Sequence, residues 1–396
     1  MAGLVGFHRR EQKPAWWAYF DRQERGLEEL QEGEECLAEC RRDGEDWLGT
    51  EARSFTYRFH YPEQETKLRA GSEVCLAAGG ASAGEIIAVD EARRLVTLKR
   101  GKKSGPPPEE ASFIPGQPFR VDVLRQAVWT VAADLAAGGA GYPHIAALLR
   151  REPPRLTGRT AGSPVIPPDA CNDPTQLLAA AIAAVRTLDR SWLVIQGPPG
   201  AGKTYTISHL IAALIADGKT VGIASNSHKA IDNVLHAVET RLHGAGRPVA
   251  ILGQKKDGAG DDRFAGRGYI ASVADNKRVD TSLPILAGTA WLFAREDLRA
   301  SRDVLFVDEA GQVSLGNLVA MAQGARSLVL VGDQMQLAQP IQGAHPRDSG
   351  VSALDHLLGG HAVVPPERSI FLSRTWRMHP NLCGFISAAV YDGQLR

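Results

Sequence analysis

Hydrophobic and polar positions follow different periods in different stretches of the chain, and the changes of period divide it. Between residues 54 and 119, short alternating runs at 56–59, 73–76, 85–89 and 95–98 are separated by Gly and Asp turns and predict the strands of a small β-barrel. Val121, Leu124, Val128, Val131 and Leu135, spaced three and four apart and closed by Gly138-Gly139, predict an amphipathic helix; Leu178, Ile182 and Val185 predict another over 176–188. The two are expected to pair as a stalk that holds the barrel away from residues 191–371, with the Pro- and Gly-rich residues 151–170 linking them. From residue 191 onward, apolar runs at 192–196, 221–224, 249–252, 285–287, 304–307 and 328–331 alternate with amphipathic stretches. Continuous apolar strands between helices imply a parallel sheet covered on both faces, an α/β architecture. Residues 253–268, rich in Gly, Lys and Asp, read as a mobile surface loop.

Ahead of the barrel, residues 1–50 are rich in Glu, Arg and aromatics and read as short helices at 14–25 and 27–40. Trp16-Trp17-Ala18-Tyr19-Phe20 reads as a packing cluster rather than a ligand site. The expected organisation is a helical segment at 1–50, a barrel at 51–119, a stalk and linker at 120–190, a nucleotide domain at 191–371 and the start of a further domain at 372–396.

Composition changes this picture little. The 396 residues carry 45 basic and 45 acidic side chains, so a nucleic-acid site must be a local face rather than a global field. Five widely spaced cysteines fit a reducing compartment, and Cys36 and Cys40 could supply half a metal site, although no second pair at ligand spacing occurs. No uncharged apolar run reaches bilayer length, and charged residues from His8 to Glu11 leave no room for a signal peptide. The expectation is a soluble cytoplasmic protein with no membrane partner. Lys99-Arg100-Gly101-Lys102-Lys103 at a barrel hairpin tip reads equally as a nucleic-acid backbone contact and as a solvated turn.

The chemistry is concentrated in Gly197-Pro198-Pro199-Gly200-Ala201-Gly202-Lys203-Thr204, directly after the apolar run Trp192-Leu193-Val194-Ile195. This is the G-x-x-x-x-G-K-[ST] phosphate-binding loop with a strand before it and a helix after it. Backbone N–H groups bind phosphate only if the chain comes closer than a Cβ permits, which is what the glycines allow. Lys203 supplies a cation to the β/γ-phosphates, Thr204 a hydroxyl to Mg²⁺, and the helix that begins here its positive end. ATP and Mg²⁺ are therefore the expected cofactors. Val304-Leu305-Phe306-Val307-Asp308-Glu309 is a strand ending in two carboxylates, Asp308 to hold Mg²⁺ and Glu309 to orient and deprotonate water. Leu330-Val331-Gly332-Asp333-Gln334-Met335-Gln336-Leu337 runs from strand to polar turn, where Gln336 either reports the γ-phosphate or only satisfies turn backbone.

Together these segments resemble a superfamily 1 helicase of the group containing the nonsense-mediated-decay helicase and the Okazaki-fragment nuclease-helicase. Gln176, in Asn172-Asp173-Pro174-Thr175-Gln176, matches that group's adenine-reading Gln. Ala224-Ser225-Asn226-Ser227-His228-Lys229-Ala230-Ile231-Asp232-Asn233 resembles its first strand-contacting motif, and Gly288-Thr289-Ala290 the next. Trp376-Arg377-Met378-His379-Pro380 resembles the motif that opens its second RecA-like domain, where an aromatic stacks on adenine and an Arg touches the γ-phosphate; Trp stands here where Tyr is commoner. The resemblance covers about residues 168–396. It implies a RecA-like P-loop NTPase, 5′-to-3′ polarity, contacts to single-stranded nucleic acid from Asn226, Ser227, His228 and Thr289, and a preference for DNA over RNA. The opening His8-Arg9-Arg10-Glu11-Gln12-Lys13-Pro14-Ala15-Trp16-Trp17 resembles bacterial proteins in which a RecB-like nuclease precedes such a helicase, so a nuclease domain or a second RecA-like lobe is an implied partner.

Against that family the sequence stops just inside the second lobe, and the chain alone is expected to bind ATP–Mg²⁺ weakly, to hydrolyse it slowly and not to unwind duplexes. The rival reading is a module that binds ATP and strands without turnover. A ring motor of the AAA type is disfavoured by Gln336 and the Trp376–Pro380 motif.

Overall fold

Period-two burial and continuous burial build two different architectures. The computed structural model describes residues 1–44, 50–51, 54–258, 263–337 and 339–396. Two compact units result, one of residues 11–120 and one of residues 1–10 with 121–396.

The first unit contains strands β1 Leu37–Arg42, β2 Thr50–Glu51, β3 Ser54–His60, β4 Glu73–Leu76, β5 Ser82–Asp90, β6 Leu95–Gly101 and β7 Glu110–Pro115. They pair antiparallel in the order β1-β7-β4-β5-β6-β3-β2, and a further β1–β3 pairing closes six of them into a barrel with β2 outside the ring. Alternate side chains point inward, among them Phe59, Ile86, Val96, Leu98 and Phe113. Gly84, at φ +119, lies where a Cβ would come within 2.3 Å of the Lys99 carbonyl oxygen, so only glycine lets β5 and β6 approach. Helices α1 Ala2–Val5, α2 Phe7–Glu24 and α3 Leu27–Glu32 precede the strands. Tyr19 of α2 and Leu30 of α3 are buried with Cys36, Ala38, Cys75 and Ile114, the face of the strands opposite the barrel interior.

Three expectations change here. The helix expected over 27–40 ends at Glu32, before Gly33, and β1 takes up the rest because Leu37 and Cys40 bury into the barrel. The aromatic cluster at 16–20 divides: Tyr19 is buried, while Trp17 and Phe20 are exposed. Cys36 and Cys40 fall into different apolar clusters on either side of a bulge between Leu37 and Cys40, so they do not form half a metal site. Among the described residues no group of three or more His, Cys, Asp or Glu could hold a metal ion. At the hairpin tip, Arg100 donates to the carbonyls of Ser82, Ser104 and Gly105, and Lys102 lies over the Phe55 ring.

The second unit is built on eight parallel strands: β8 Trp192–Gln196, β9 Val221–Ala224, β10 Gly253–Lys256, β11 Ile270–Val273, β12 Ile285–Gly288, β13 Arg302–Val307, β14 Ala325–Gly332 and β15 Ser369–Phe371. Their order is β11-β10-β12-β9-β13-β14-β8-β15. Helices α4 Asp122–Ala136, α5 Pro143–Leu149, α6 Pro174–Arg186, α7 Lys203–Ala216, α8 His228–Gly244, α9 Ala290–Phe293, α10 Leu315–Ala322, α11 Ala353–Leu358 and α12 Pro380–Val390 accompany them. Trp192 and Val194 of β8 point into one apolar layer with α4, α5, α9, α10 and α11, whereas Leu193 and Ile195 point into the other with α6, α7 and α8. Both faces of the sheet are thus covered, as the continuous apolar runs require.

That partition also separates the two helices expected to form a stalk. Leu124, Val128 and Val131 of α4 lie in the first layer and Leu177, Ala181 and Val185 of α6 in the second, so each packs on the sheet rather than on the other. The strand expected at 249–252 forms four residues later as β10, which takes the start of the expected loop 253–268; residues 259–262 lie outside the described residues. Gln254, Lys255 and Lys256 in that strand hide it from any reading by hydropathy, since Lys255 is fully buried among charges.

Candidate functional site

Every strand in the sheet runs the same way, so the loops after β8, β9, β13 and β14 emerge at one edge, where open parallel sheets bind ligands. Register brings them together. Gly332, the last residue of β14, pairs with Gln196, the last of β8, and its carbonyl accepts the Gly197 N–H at 3.0 Å. The Asp308 N–H donates to the Ala224 carbonyl at 2.9 Å, joining the ends of β13 and β9. The phosphate loop, the Asp308-Glu309 pair, the Gly332–Gln336 turn and the Asn226–His228 loop therefore leave from neighbouring points.

The phosphate loop has the shape its sequence requires. Gly200 and Gly202 hold φ +78 and +82, and Gly202 begins α7, whose first residues are Lys203 and Thr204. Pro198, Pro199 and the buried Ala201 complete the turn. Lys203 folds back over it, Nζ donating to the Gly197 carbonyl at 2.8 Å. Across the loop, Asp308 is buried and its Oδ1 has no hydrogen-bond partner among the described residues. Burial, and then the charge of Glu309, push its carboxyl up to about 6, while the Lys203 ammonium pulls the other way. A buried, orphaned carboxylate oxygen facing a lysine and a glycine cradle fits a hydrated Mg²⁺ carried by a triphosphate. Thr204 and Asp308 are the residues that would hold the metal ion. Glu309 leaves the strand in the left-handed region at φ +53, ψ +40, half-buried, an unfavourable conformation for a residue with a Cβ and one typical of active sites.

Residues 372–377 close the loop from the other side. The Trp376 N–H donates to the Gly200 carbonyl at 2.9 Å, and the Thr375 hydroxyl to the Pro199 carbonyl at 3.1 Å. A Cβ on Gly200 would lie 2.4 Å from Arg377 Cβ, so Arg377 sits directly on the phosphate loop. Beside it opens a cavity of about 890 Å³, lined by Pro174, Thr175, Tyr205, Arg374, Trp376 and Arg396 among others. The Arg374 guanidinium lies 4.5 Å over the Trp376 ring. Gln176 is exposed in the first turn of α6, its N–H capped by Asp173, and its neighbours Thr175 and Leu177 rather than Gln176 line the cavity.

The Gly332–Gln336 turn is pinned by Asp333. Its Oδ2 accepts the Tyr391 hydroxyl at 2.6 Å, its Oδ1 the Met335 N–H and its carbonyl the Gln336 N–H. Gln334 turns away to the 361–362 carbonyls, leaving Gln336 half-buried; Ala338, within the 332–340 motif, lies outside the described residues.

The residues expected to touch a strand divide. Asn226 Nδ2 donates to the Gln312 carbonyl at 2.7 Å and to Gln339 Oε1 at 2.8 Å, bridging the loop after β9 to the segments after β13 and β14. Ser227 occupies the N-cap of α8, but its hydroxyl makes no capping bond. His228 and Thr289 line a common cleft. Beneath them Lys255 Nζ lies 2.6 Å from Asp232 Oδ1 and 2.5 Å from Asp257 Oδ1, and Asp257 lies 3.8 Å from His228 Nδ1. Burial, reinforced by Lys255, holds the His228 imidazole below its ordinary value. Lys255, Asp257 and Tyr391 escape a reading of the sequence alone. Lys255 lies in β10 and Asp257 directly after its end, two residues apart, a spacing that could have flagged them.

Residues 174–352 match the AAA domain family. The DNA replication ATP-dependent helicase/nuclease JHS1 of Arabidopsis thaliana is 28% identical over 233 residues, 57% of this chain and 16% of that protein. The DNA replication ATP-dependent helicase/nuclease DNA2 of Gallus gallus is 29% identical over 213 residues, 52% of this chain and 21% of its own length. The Mus musculus protein of the same name is 30% identical over 221 residues, 52% and 20%. The match thus spans about a fifth of these relatives. The arterivirus nonstructural protein 10 helicase aligns with 89% of this chain and 58% of its own at 14% identity and a TM-score of 0.38. Residues 174–352 are thus similar to the AAA domain family, and the chain is similar to part of these helicase/nucleases.

Proposed function

We propose that this chain is the nucleotide-binding and strand-gripping part of an ATP-dependent, 5′-to-3′ DNA helicase. The observation that carries this reading is the convergence of the phosphate loop, the Asp308-Glu309 pair, Gln336 and Arg377 on one sheet edge, with Asn226 hydrogen-bonded to the segments after both β13 and β14.

Backbone N–H groups from Gly197 to Thr204, with Lys203, would bind the triphosphate, and the base would enter the cavity beside Trp376. Mg²⁺, held by Thr204 and Asp308, would neutralise charge on the β- and γ-phosphates. Glu309 then orients the attacking water and takes its proton. Arg377 places positive charge beside the γ-phosphate, and Gln336 senses it. Ser227, His228 and Thr289 grip the strand backbone, so binding tolerates sequence and weakens with salt. The Asn226 bridge supports coupling: a change in the turn around Gln339 moves the loop that carries Ser227 and His228. DNA is favoured because the relatives carry DNA replication in their names. Among the described residues no helix is long and apolar enough to cross a membrane, and we place the protein in the cytoplasm, with a nuclease domain or a second RecA-like lobe as its partner.

The test is linkage between the two ligands. Affinity for a labelled single-stranded oligonucleotide is measured with Mg²⁺ and either ADP or a non-hydrolysable ATP analogue. Several-fold different affinities, made equal by Lys203→Ala, are expected; equal affinities in the unmutated protein would contradict the proposal.

A further inference from the structure

The cleft shared by His228 and Thr289 contains side chains that the strand-contacting motifs do not account for. It has a volume of about 240 Å³, and Lys256, Trp291 and Arg295 help to line it. Their charges are not equally available. Arg295 is committed to Asp297 and to the Asn276 carbonyl. Lys256 Nζ donates to the Asp257 backbone carbonyl at 2.7 Å, and among the described residues no carboxylate lies within ion-pairing distance of it. Asp257, which also lines the cleft, is paired from beneath with the buried Lys255, which it shares with Asp232. Trp291 is 41% exposed two residues after Thr289. An ammonium with no carboxylate partner among the described residues, a hydroxyl, an imidazole and an indole face around one small cleft are groups that bind a phosphate and its attached base.

We propose that Lys256 and Trp291 seat one nucleotide of the bound single strand, its phosphate on Lys256 with Thr289 and His228, and its base stacked on Trp291. This seat rests on the strand-binding function proposed for the same cleft. Trp291 supplies a sequence-tolerant term, because every base has a π-face, and Lys256 supplies a salt-dependent one.

The experiment titrates the protein with a fluorescent oligothymidylate and with a matching oligonucleotide that is abasic throughout, each at several NaCl concentrations. Lys256→Ala is expected to flatten the slope of log K against log salt by about 0.7. Trp291→Ala is expected to weaken oligothymidylate binding roughly ten- to a hundredfold at every salt concentration without changing the slope, and to leave abasic binding unchanged. Trp291→Phe should retain most of the affinity. The abasic arm keeps the test valid if Trp291→Ala fails to fold, because the unmutated protein must itself lose a comparable factor there. Unchanged binding in both variants, alongside weakened binding in Thr289→Ala, would overturn this seat while leaving the strand-binding function standing. No salt-sensitive binding of oligothymidylate by the unmutated protein would overturn both. Competition by thymidine monophosphate as strong as by the oligonucleotide would show a mononucleotide site and overturn the proposal.

Discussion

Tyr391 donates its hydroxyl to Asp333 Oδ2 at 2.6 Å, with both side chains buried, and so ties the end of α12 to the turn after β14. Burial and the neighbouring carboxylate both hold the phenol well above its ordinary value, so it remains the donor at any working pH. Tyr391→Phe removes that donor and leaves a buried carboxylate oxygen unsatisfied. We predict a loss of roughly 1.5–3 kcal/mol, read as a lower urea midpoint at unchanged slope. A midpoint equal to the unmutated protein's would show that the bond contributes nothing.

The Lys255 cluster makes a sharper case. The ammonium is fully buried between Asp232 and Asp257. Lys255→Met leaves the two carboxylates facing one another without a cation, and a cost of about 3–5 kcal/mol is expected. Combining it with Asp232→Asn and Asp257→Asn should recover much of that loss. Failure of the triple variant to recover would mean that packing, not charge, sets the cost.

Asp308 predicts an unusual pH dependence. Its folded value of about 6 stands above the 3.8 of an unfolded aspartate, chiefly through burial, so the native state prefers the protonated form. The stability this group contributes is complete below pH 3.8 and is lost as pH rises through 6. In the presence of a chelator, Asp308→Asn should therefore be more stable than the unmutated protein at pH 7, by roughly 1–3 kcal/mol, with the difference vanishing near pH 4. Equal stability at pH 7 would refute the strained carboxylate.

His144 has the opposite sign. Its Nε2 donates to the Ala322 carbonyl at 2.9 Å, and burial lowers its pKa to about 4 from the usual 6.5. Stability linked to the neutral ring is complete above pH 6.5 and falls as pH drops towards 4, by roughly 3 kcal/mol in total. His144→Gln keeps a donor for Ala322 and cannot titrate, so its unfolding midpoint should fall less steeply over that interval. Parallel pH profiles would exclude His144 as the source of the acid limb.

How much of the fold and the site is legible in the sequence depends on what each residue does. Apolar strands buried on both faces, such as Trp192–Gln196 and Arg302–Val307, declare themselves through composition, and the phosphate loop declares itself through glycine spacing. Lys255 and Asp257 escape hydropathy, because a charged strand becomes buried only when its counter-charges arrive from elsewhere in the fold. Leu37–Arg42 reads in part as helix because its partners in the barrel lie at Glu110–Pro115 and Ser54–His60, and pairing over that distance leaves no local mark. The joint cleft of His228 and Thr289 is implied by two separate motifs, and Trp291 follows Thr289 by two residues, but Lys256 joins it only through the sheet order β10-β12-β9.

A single nucleotide shared by Lys203 and the two carboxylates after β13 is the central claim. Binding of a fluorescent ATP analogue with Mg²⁺, followed by single-turnover hydrolysis, separates their roles. Lys203→Ala is predicted to lose binding at least about tenfold, whereas Glu309→Gln should bind as the unmutated protein does and show no hydrolysis above background. Undiminished binding in Lys203→Ala, or equal loss of binding in both variants, would contradict it.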